Sequence, residues 1–314
     1  MELGMKLQLL TDKLEQMNAY RPLSREAVNA INKEKKIEHV YTSNALEGNT
    51  LDKYETASIL ETGMTLHGVP VKDVLETLDL SKAYDHMEEL AVGKVQLTED
   101  DIRDLNRLCT IKSTDMVEFA GLYRQIQAYP YGVAGVKYSE PYLIGQEMGN
   151  LVWWMNTLGK EMHPVRFAAE LHQKFVTIHP FSDGNGRTAR LLMEFALTSN
   201  GYPITNIQPD VKSRTQYMET LAQTQRSGDV TPFIHLVSDY VSKELDFRIQ
   251  TLELNEKNMQ DYEAYLKKSK LENSGGLDKK TPSNKFEERL IKAEQEKKSN
   301  STLDSMTEQK GRSI

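Results

Sequence analysis

The chain has 314 residues, of which 39% are hydrophobic and 27% charged, a composition that fits a globular core arranged as one large domain or two small ones. Its net charge of −7 excludes a molecule that holds nucleic acid through its overall field. Cys109 is the only cysteine, so no intrachain disulfide forms; no apolar run is long enough to span a bilayer, and the opening MELGMKLQLL lacks the apolar stretch of a secretion signal. A cytoplasmic protein is expected.

Helical patterns dominate. Ser24 opens a stretch with Val28, Ile31, Ile37 and Val40 at helical spacing, closed by Gly48, and Asp52 opens another that stops at Gly63. Thr98 with Asp101 forms a capping-box pattern ahead of Ile102, Leu105 and Leu108. Residues 123–142 break the pattern: two β-prone stretches flank Pro130-Tyr131-Gly132, which predicts a β-hairpin. Helices follow over Pro164–Ile178, Gly186–Asn200 (with Gly201 as the stop) and residues 210–226. Asp229 and Pro232 start a long last helix carrying Phe233, Leu236, Val237, Tyr240, Val241 and Leu245 on one face. From about residue 255, Lys, Glu, Asn and Ser displace apolar residues, and Asn273-Ser274-Gly275-Gly276 breaks any helix. Residues 253–314 therefore read as a flexible charged tail, within which Lys285–Lys298 has the composition of a solvated helix.

The chemistry is concentrated in His179-Pro-Phe-Ser-Asp-Gly-Asn-Gly-Arg-Thr-Ala-Arg190. Gly184-Asn185-Gly186 permits a nest of backbone N–H groups at a helix start, where the helix dipole also favours an anion. Arg187 and Arg190, three apart, lie on one side of that helix and suit phosphate oxygens. Asp183 beside such a cradle would be repelled by phosphate unless a cation lay between, which points to Mg²⁺. His179 can accept a proton near neutral pH. Phe181 reads as the apolar anchor of the loop, and Tyr217 as either a face for adenine or a core aromatic. Each part has a plainer reading: a structural histidine, an ordinary turn, two surface arginines. Gly184-x-Gly186-x-x-Ala189 followed by Asp210 also fits a dinucleotide fingerprint, but that needs a strand before the glycines and a parallel sheet, and only Phe175–Ile178 offers such a strand.

The twelve residues match every fixed position of the Fic signature, H-x-F-x-(D/E)-G-N-G-R-x-x-R, and the chain resembles that family over about residues 35–245. The resemblance implies an all-α Fic-type domain at residues 35–252, preceded by a helical segment at 1–34, with a small β-hairpin flap that begins at Gly121-Leu-Tyr-Arg124 and aligns a target segment. It implies transfer of AMP from ATP to a Ser, Thr or Tyr hydroxyl of a target protein. In that picture His179 resembles the general base and Asp183 the Mg²⁺ (or Mn²⁺) ligand. Gly184, Asn185 and Gly186 resemble the phosphate cradle, Arg187 a phosphate contact, and Arg190 the γ-phosphate contact. Ser43-Asn-Ala-Leu-Glu47-Gly48 is similar to the inhibitory motif of the family's N-terminal class, within an inhibitory helix at about 35–48; its i, i+4 spacing puts Ser43 and Glu47 on one helix face, and in the family the glutamate pairs with the second motif arginine. Homo-oligomers, a different transferred group, removal of AMP by Glu47-positioned water, or nucleotide binding without transfer are also compatible with the resemblance. Neither a membrane nor a nucleic-acid partner is expected.

Overall fold

The computed structural model describes residues 2–20, 22–65, 68–130 and 135–274, the last five by backbone alone. Ten α-helices are found among them: α1 (Leu3–Ala19), α2 (Arg25–Leu46), α3 (Lys53–Thr62), α4 (Val71–Val92), α5 (Glu99–Thr110), α6 (Ile144–Asn156), α7 (Pro164–Ile178), α8 (Asn185–Ser199), α9 (Val211–Ser227) and α10 (Thr231–Ser274). Three 3-10 turns connect them. The fold is all-α, and no described helix is long and apolar enough to cross a membrane.

Local signals explain the boundaries that were expected. The Ser24 hydroxyl accepts from Ala27 N–H at the start of α2, Asp52 and Glu55 form a reciprocal capping box on α3, Thr98 and Asp101 do so on α5, and Asp210 caps α9. The helix α1 lies within the segment read as helical at 1–34, whereas α4 and α6 carry no comparable pattern and were not anticipated. The helix α8 lies at the centre: all but three of its fifteen residues are buried, with α4, α5 and α7 packed around it. A helix buried on nearly every side must satisfy its own charges, and Arg187, Arg190 and Glu194 all lie inside.

The predicted boundary at residues 34/35 falls inside α2, which continues through it, and Met1–Lys257 form one compact unit. The second unit, Asn258–Ile314, is described through Ser274 as helix. The tail expected from residue 253 is thus helical at its start, because Glu, Lys, Gln and Leu sustain a helix by propensity without a core. Lys285–Lys298 lies outside the described residues. Among the described residues of segment 123–142 no strand ladder forms, and the turn at Tyr131 and Gly132 is outside them. The β-prone Tyr123 instead makes an isolated antiparallel bridge with Phe181, and Arg124 N–H donates to the Pro180 carbonyl at 2.9 Å. Phe175–Ile178 is helical, so no strand precedes the glycines and the dinucleotide reading falls.

Burial holds several titratable groups away from their usual range. It lowers the imidazoles of His39 and His172 to about 3 and that of His179 to about 4, with nearby arginines adding to the effect; burial also lowers His163. An imidazole with a depressed folded-state pKa stabilises the fold fully above its unfolded value near 6.5 and loses that contribution as pH falls toward the folded value. Glu194 and the half-buried Glu88 shift upward through burial and act with the opposite sign. The imidazole contribution is therefore expected to lower the thermal midpoint between pH 6.5 and 5, with a shallower drop in His39→Gln. A midpoint independent of pH across that window would show the imidazoles titrating as in free solution.

Candidate active site at the start of α8

The loop between α7 and α8 is held by side chains. His179 ends α7 in a left-handed conformation (φ 51°, ψ 60°). The Asn185 side chain turns back on Phe181, accepting from its N–H at 2.9 Å and donating to its carbonyl at 2.8 Å. Phe181 is buried against Phe175 and Tyr123, so it anchors the loop as expected. The Asn185 side chain, assigned by resemblance to a phosphate cradle, is occupied in shaping that cradle. Gly184 adopts φ 74° as the N-cap of α8, and a Cβ there would stand 2.6 Å from Thr110 Cγ2 and 2.9 Å from Asn106 Nδ2.

Asn106 was not singled out by sequence. Its Nδ2 donates to the Asp183 carbonyl at 2.9 Å and the Thr188 hydroxyl at 3.2 Å, and its Oδ1 accepts from Gly121 N–H at 3.2 Å. One amide on α5 thereby joins the motif loop, α8 and the start of segment 123–142. A single Asn in a helix leaves no local signature, so only the fold reveals it.

Both motif arginines are buried, which removes the surface-charge reading. Arg187 donates to the Cys109 carbonyl at 3.2 Å and to Asp183 Oδ1 at 3.3 Å. Arg190 Nε donates to the Ser43 hydroxyl at 2.7 Å, and Nη2 donates to the Ser43 carbonyl at 2.8 Å and Glu47 Oε1 at 2.6 Å. Burial works against both charges, yet Asp183 beside Arg187 and Glu47 beside Arg190 hold each pKa above the ordinary guanidinium value. The Glu47 carboxylate also lies against the Cα of Gly186, in space that any side chain there would fill. The C-terminal end of α2 thus meets the positive N-terminal end of α8. A carboxylate rests where a helix start and an arginine would receive a phosphate.

Asp183 differs from these groups. Its side chain is half exposed and borders a cleft of about 210 Å³ shared with Asn106, Thr110, Lys72 and Asp115. Its Oδ1 accepts from Gly184 N–H at 2.6 Å. No cluster of three metal-ligating side chains exists among the described residues. The donor set, one accessible carboxylate beside an anion cradle, fits Mg²⁺ held jointly with phosphate oxygens and water rather than in a protein cage.

Tyr217 is a core residue: its hydroxyl bonds the His172 ring at 2.9 Å, and it packs on Phe233. His179 Nδ1 is buried without a hydrogen bond of regular geometry, and its ring lies flat against Tyr138, with centroids 3.8 Å apart. At its lowered pKa the imidazole is neutral near pH 7 and able to accept a proton. Ser43, Glu47, Gly186 and Arg190 thus meet at one point, Asp183 and Arg187 pair beside it, and His179 and Asn185 shape the loop. Gly184→Ala combines a left-handed backbone with a steric clash and is expected to cost about 2 kcal/mol, lowering Tm by roughly 4–8 °C; an unchanged Tm would mean that the loop relaxes freely.

Residues 96–197 match the Fic/DOC family model. The protein adenylyltransferase Fic of Drosophila persimilis is 35% identical over 242 residues, covering 77% of this chain and 46% of that protein; its Drosophila melanogaster counterpart is 34% identical, covering 77% and 47%. The chain therefore spans about half the length of the curated relatives it matches. Among solved structures, Fic-1 (residues 134–508) from C. elegans superimposes with a TM-score of 0.70 at 26% identity, covering 81% of this chain and 73% of that one. A Fic domain containing signaling protein from Bacteroides thetaiotaomicron superimposes at 0.69 with 28% identity, covering 79% and 98%. Residues 96–197 of this chain therefore form a Fic/DOC domain.

Proposed function

We propose that the protein transfers AMP from ATP to a hydroxyl side chain of a target protein, and that Glu47 holds the enzyme in check. The observation that carries this reading is the Glu47 carboxylate on Gly186 and Arg190. A site that binds one anion this way can bind another, and the relatives bear the name protein adenylyltransferase.

The triphosphate would lie along the start of α8. The cradle at Gly184, Asn185 and Gly186 would face the α- and β-phosphates, with the Gly184 N–H held by Asp183 Oδ1, and Arg190 would take the γ-phosphate once Glu47 withdraws. Asp183 would hold Mg²⁺, which when bound offsets the phosphate charge. His179 accepts the proton of the incoming hydroxyl as its oxygen bonds to the α-phosphorus; the bond to the β-phosphate bridging oxygen breaks, and pyrophosphate leaves. The cytoplasm remains the proposed location and Mn²⁺ an alternative ion. Contacts between copies that tune the check also belong to this proposal.

A check that leaves about 1% of molecules competent corresponds to about 2.7 kcal/mol, and its release raises the rate up to about 100-fold. Glu47→Gly is therefore expected to increase incorporation of α-labelled AMP into itself or a lysate target by roughly 10- to 100-fold. Equal labelling by both forms would refute the inhibitory role. In the Glu47→Gly background, His179→Ala is expected to abolish incorporation while ATP still binds. Persistent labelling would remove His179 from the reaction, and ATP binding without product in Glu47→Gly would point to a nucleotide-binding module.

A further inference from the structure

A general base must aim its lone pair, and the usual device is a hydrogen bond on the other ring nitrogen. His179 has no strong bond of this kind. Its buried Nδ1 makes no regular hydrogen bond; the Val176 carbonyl is close enough to raise its basicity slightly without a well-directed contact. The orientation must come from elsewhere.

Two residues of segment 123–142 supply it. The Tyr138 ring lies parallel to the imidazole, centroids 3.8 Å apart and planes within 7°. Such a stack resists rotation of the ring plane while leaving the nitrogens at the ring edge open. Arg124 then holds both partners by their backbones. Its Nε donates to the His179 carbonyl at 2.8 Å, Nη2 donates to the carbonyl of Ser139, next to Tyr138, and Nη1 donates to the Ile126 carbonyl at 2.9 Å. The Arg124 side chain is buried, and its planar fork donates to four backbone carbonyls, the fourth being that of Ile178 at 3.5 Å.

We propose that Tyr138 and Arg124 are positioning residues for the reaction: Tyr138 sets the plane of the His179 ring, and Arg124 fixes the two stacked residues relative to each other. This assignment rests on the transfer reading and gives segment 123–142 a task on the base in addition to any on the target. Tyr138 touches no reacting atom in this role; it acts through the imidazole.

The test uses the full chain in the Glu47→Gly background. Tyr138→Leu is expected to lower turnover of AMP transfer by about 10- to 100-fold, the scale of a small misplacement of a catalytic group, with KM for ATP unchanged. Tyr138→Phe, which keeps the flat ring, is expected to restore most of the rate. Full turnover in Tyr138→Leu overturns the proposal, as does a loss shared equally between turnover and ATP affinity. A second readout is independent of activity. The His179 ring protons, assigned by their disappearance in His179→Ala, should resonate upfield in the parent and in Tyr138→Phe, and return to ordinary positions in Tyr138→Leu. Ordinary positions in the parent overturn the stack. If Glu47→Gly transfers nothing, the transfer reading fails, and the ring shifts alone still decide whether Tyr138 orients His179.

Discussion

A guanidinium enclosed in protein must be paired, and Arg190 is enclosed on the most buried helix of the fold. Unpaired, it would cost several kcal/mol. Ser43 satisfies two of its N–H groups without neutralising it, and Glu47 supplies the opposite charge. The arrangement of α2 follows from this requirement: its last turn must end at the first turn of α8, with residues 43 and 47 facing inward. A nucleotide phosphate meets the same requirement, so carboxylate and phosphate are alternative answers to a single electrostatic demand.

What could be read from the sequence was what local rules govern. The loop from His179 to Arg190 holds its chemistry in twelve adjacent positions, and the caps at Ser24, Asp52 and Thr98 satisfy orphan N–H groups within three residues of themselves. The spacing of Ser43 and Glu47 is a helix spacing, although the pairing of Glu47 with Arg190 bridges 143 residues of chain and came from family resemblance alone, and the Ser43 bonds to Arg190 were not foreseen. The isolated bridge at Tyr123 illustrates the limit. The residues around Tyr123 do have extended character, but the Pro180-Phe181 backbone offered a partner that no neighbouring sequence reveals. Asn106 and Tyr138 were passed over for the same reason, and Arg124 was read only as part of the flap's start: each acts across the fold.

Asn106, Asn185 and Arg124 explain how an all-helical protein builds a firm loop. With no sheet to hold it, the segment from His179 to Gly184 receives its hydrogen bonds from side chains. Asn106 serves the Asp183 carbonyl, Asn185 serves Phe181, and Arg124 serves the His179 carbonyl. Buried polar groups are costly when unmatched and stiffening when matched, so the loop gains rigidity from the amides and guanidinium that surround it.

The end of α2 is tethered on several sides. Leu46 gives its carbonyl to Arg214, Asn49 reaches the Asp73 carbonyl and Glu76, Thr50 bonds the Asp73 carboxylate, and His39 meets Asn206. A backbone secured in this way has little room to slide, whereas the Glu47 side chain, over a third exposed, can swing on its own bonds. Rotation of a partly solvated side chain takes picoseconds to nanoseconds, against microseconds or longer for a helix shift. Removal of the carboxylate from Arg190 can therefore proceed as a rotamer change within an otherwise stationary scaffold, leaving occupied and vacant forms nearly superimposable in their main chains.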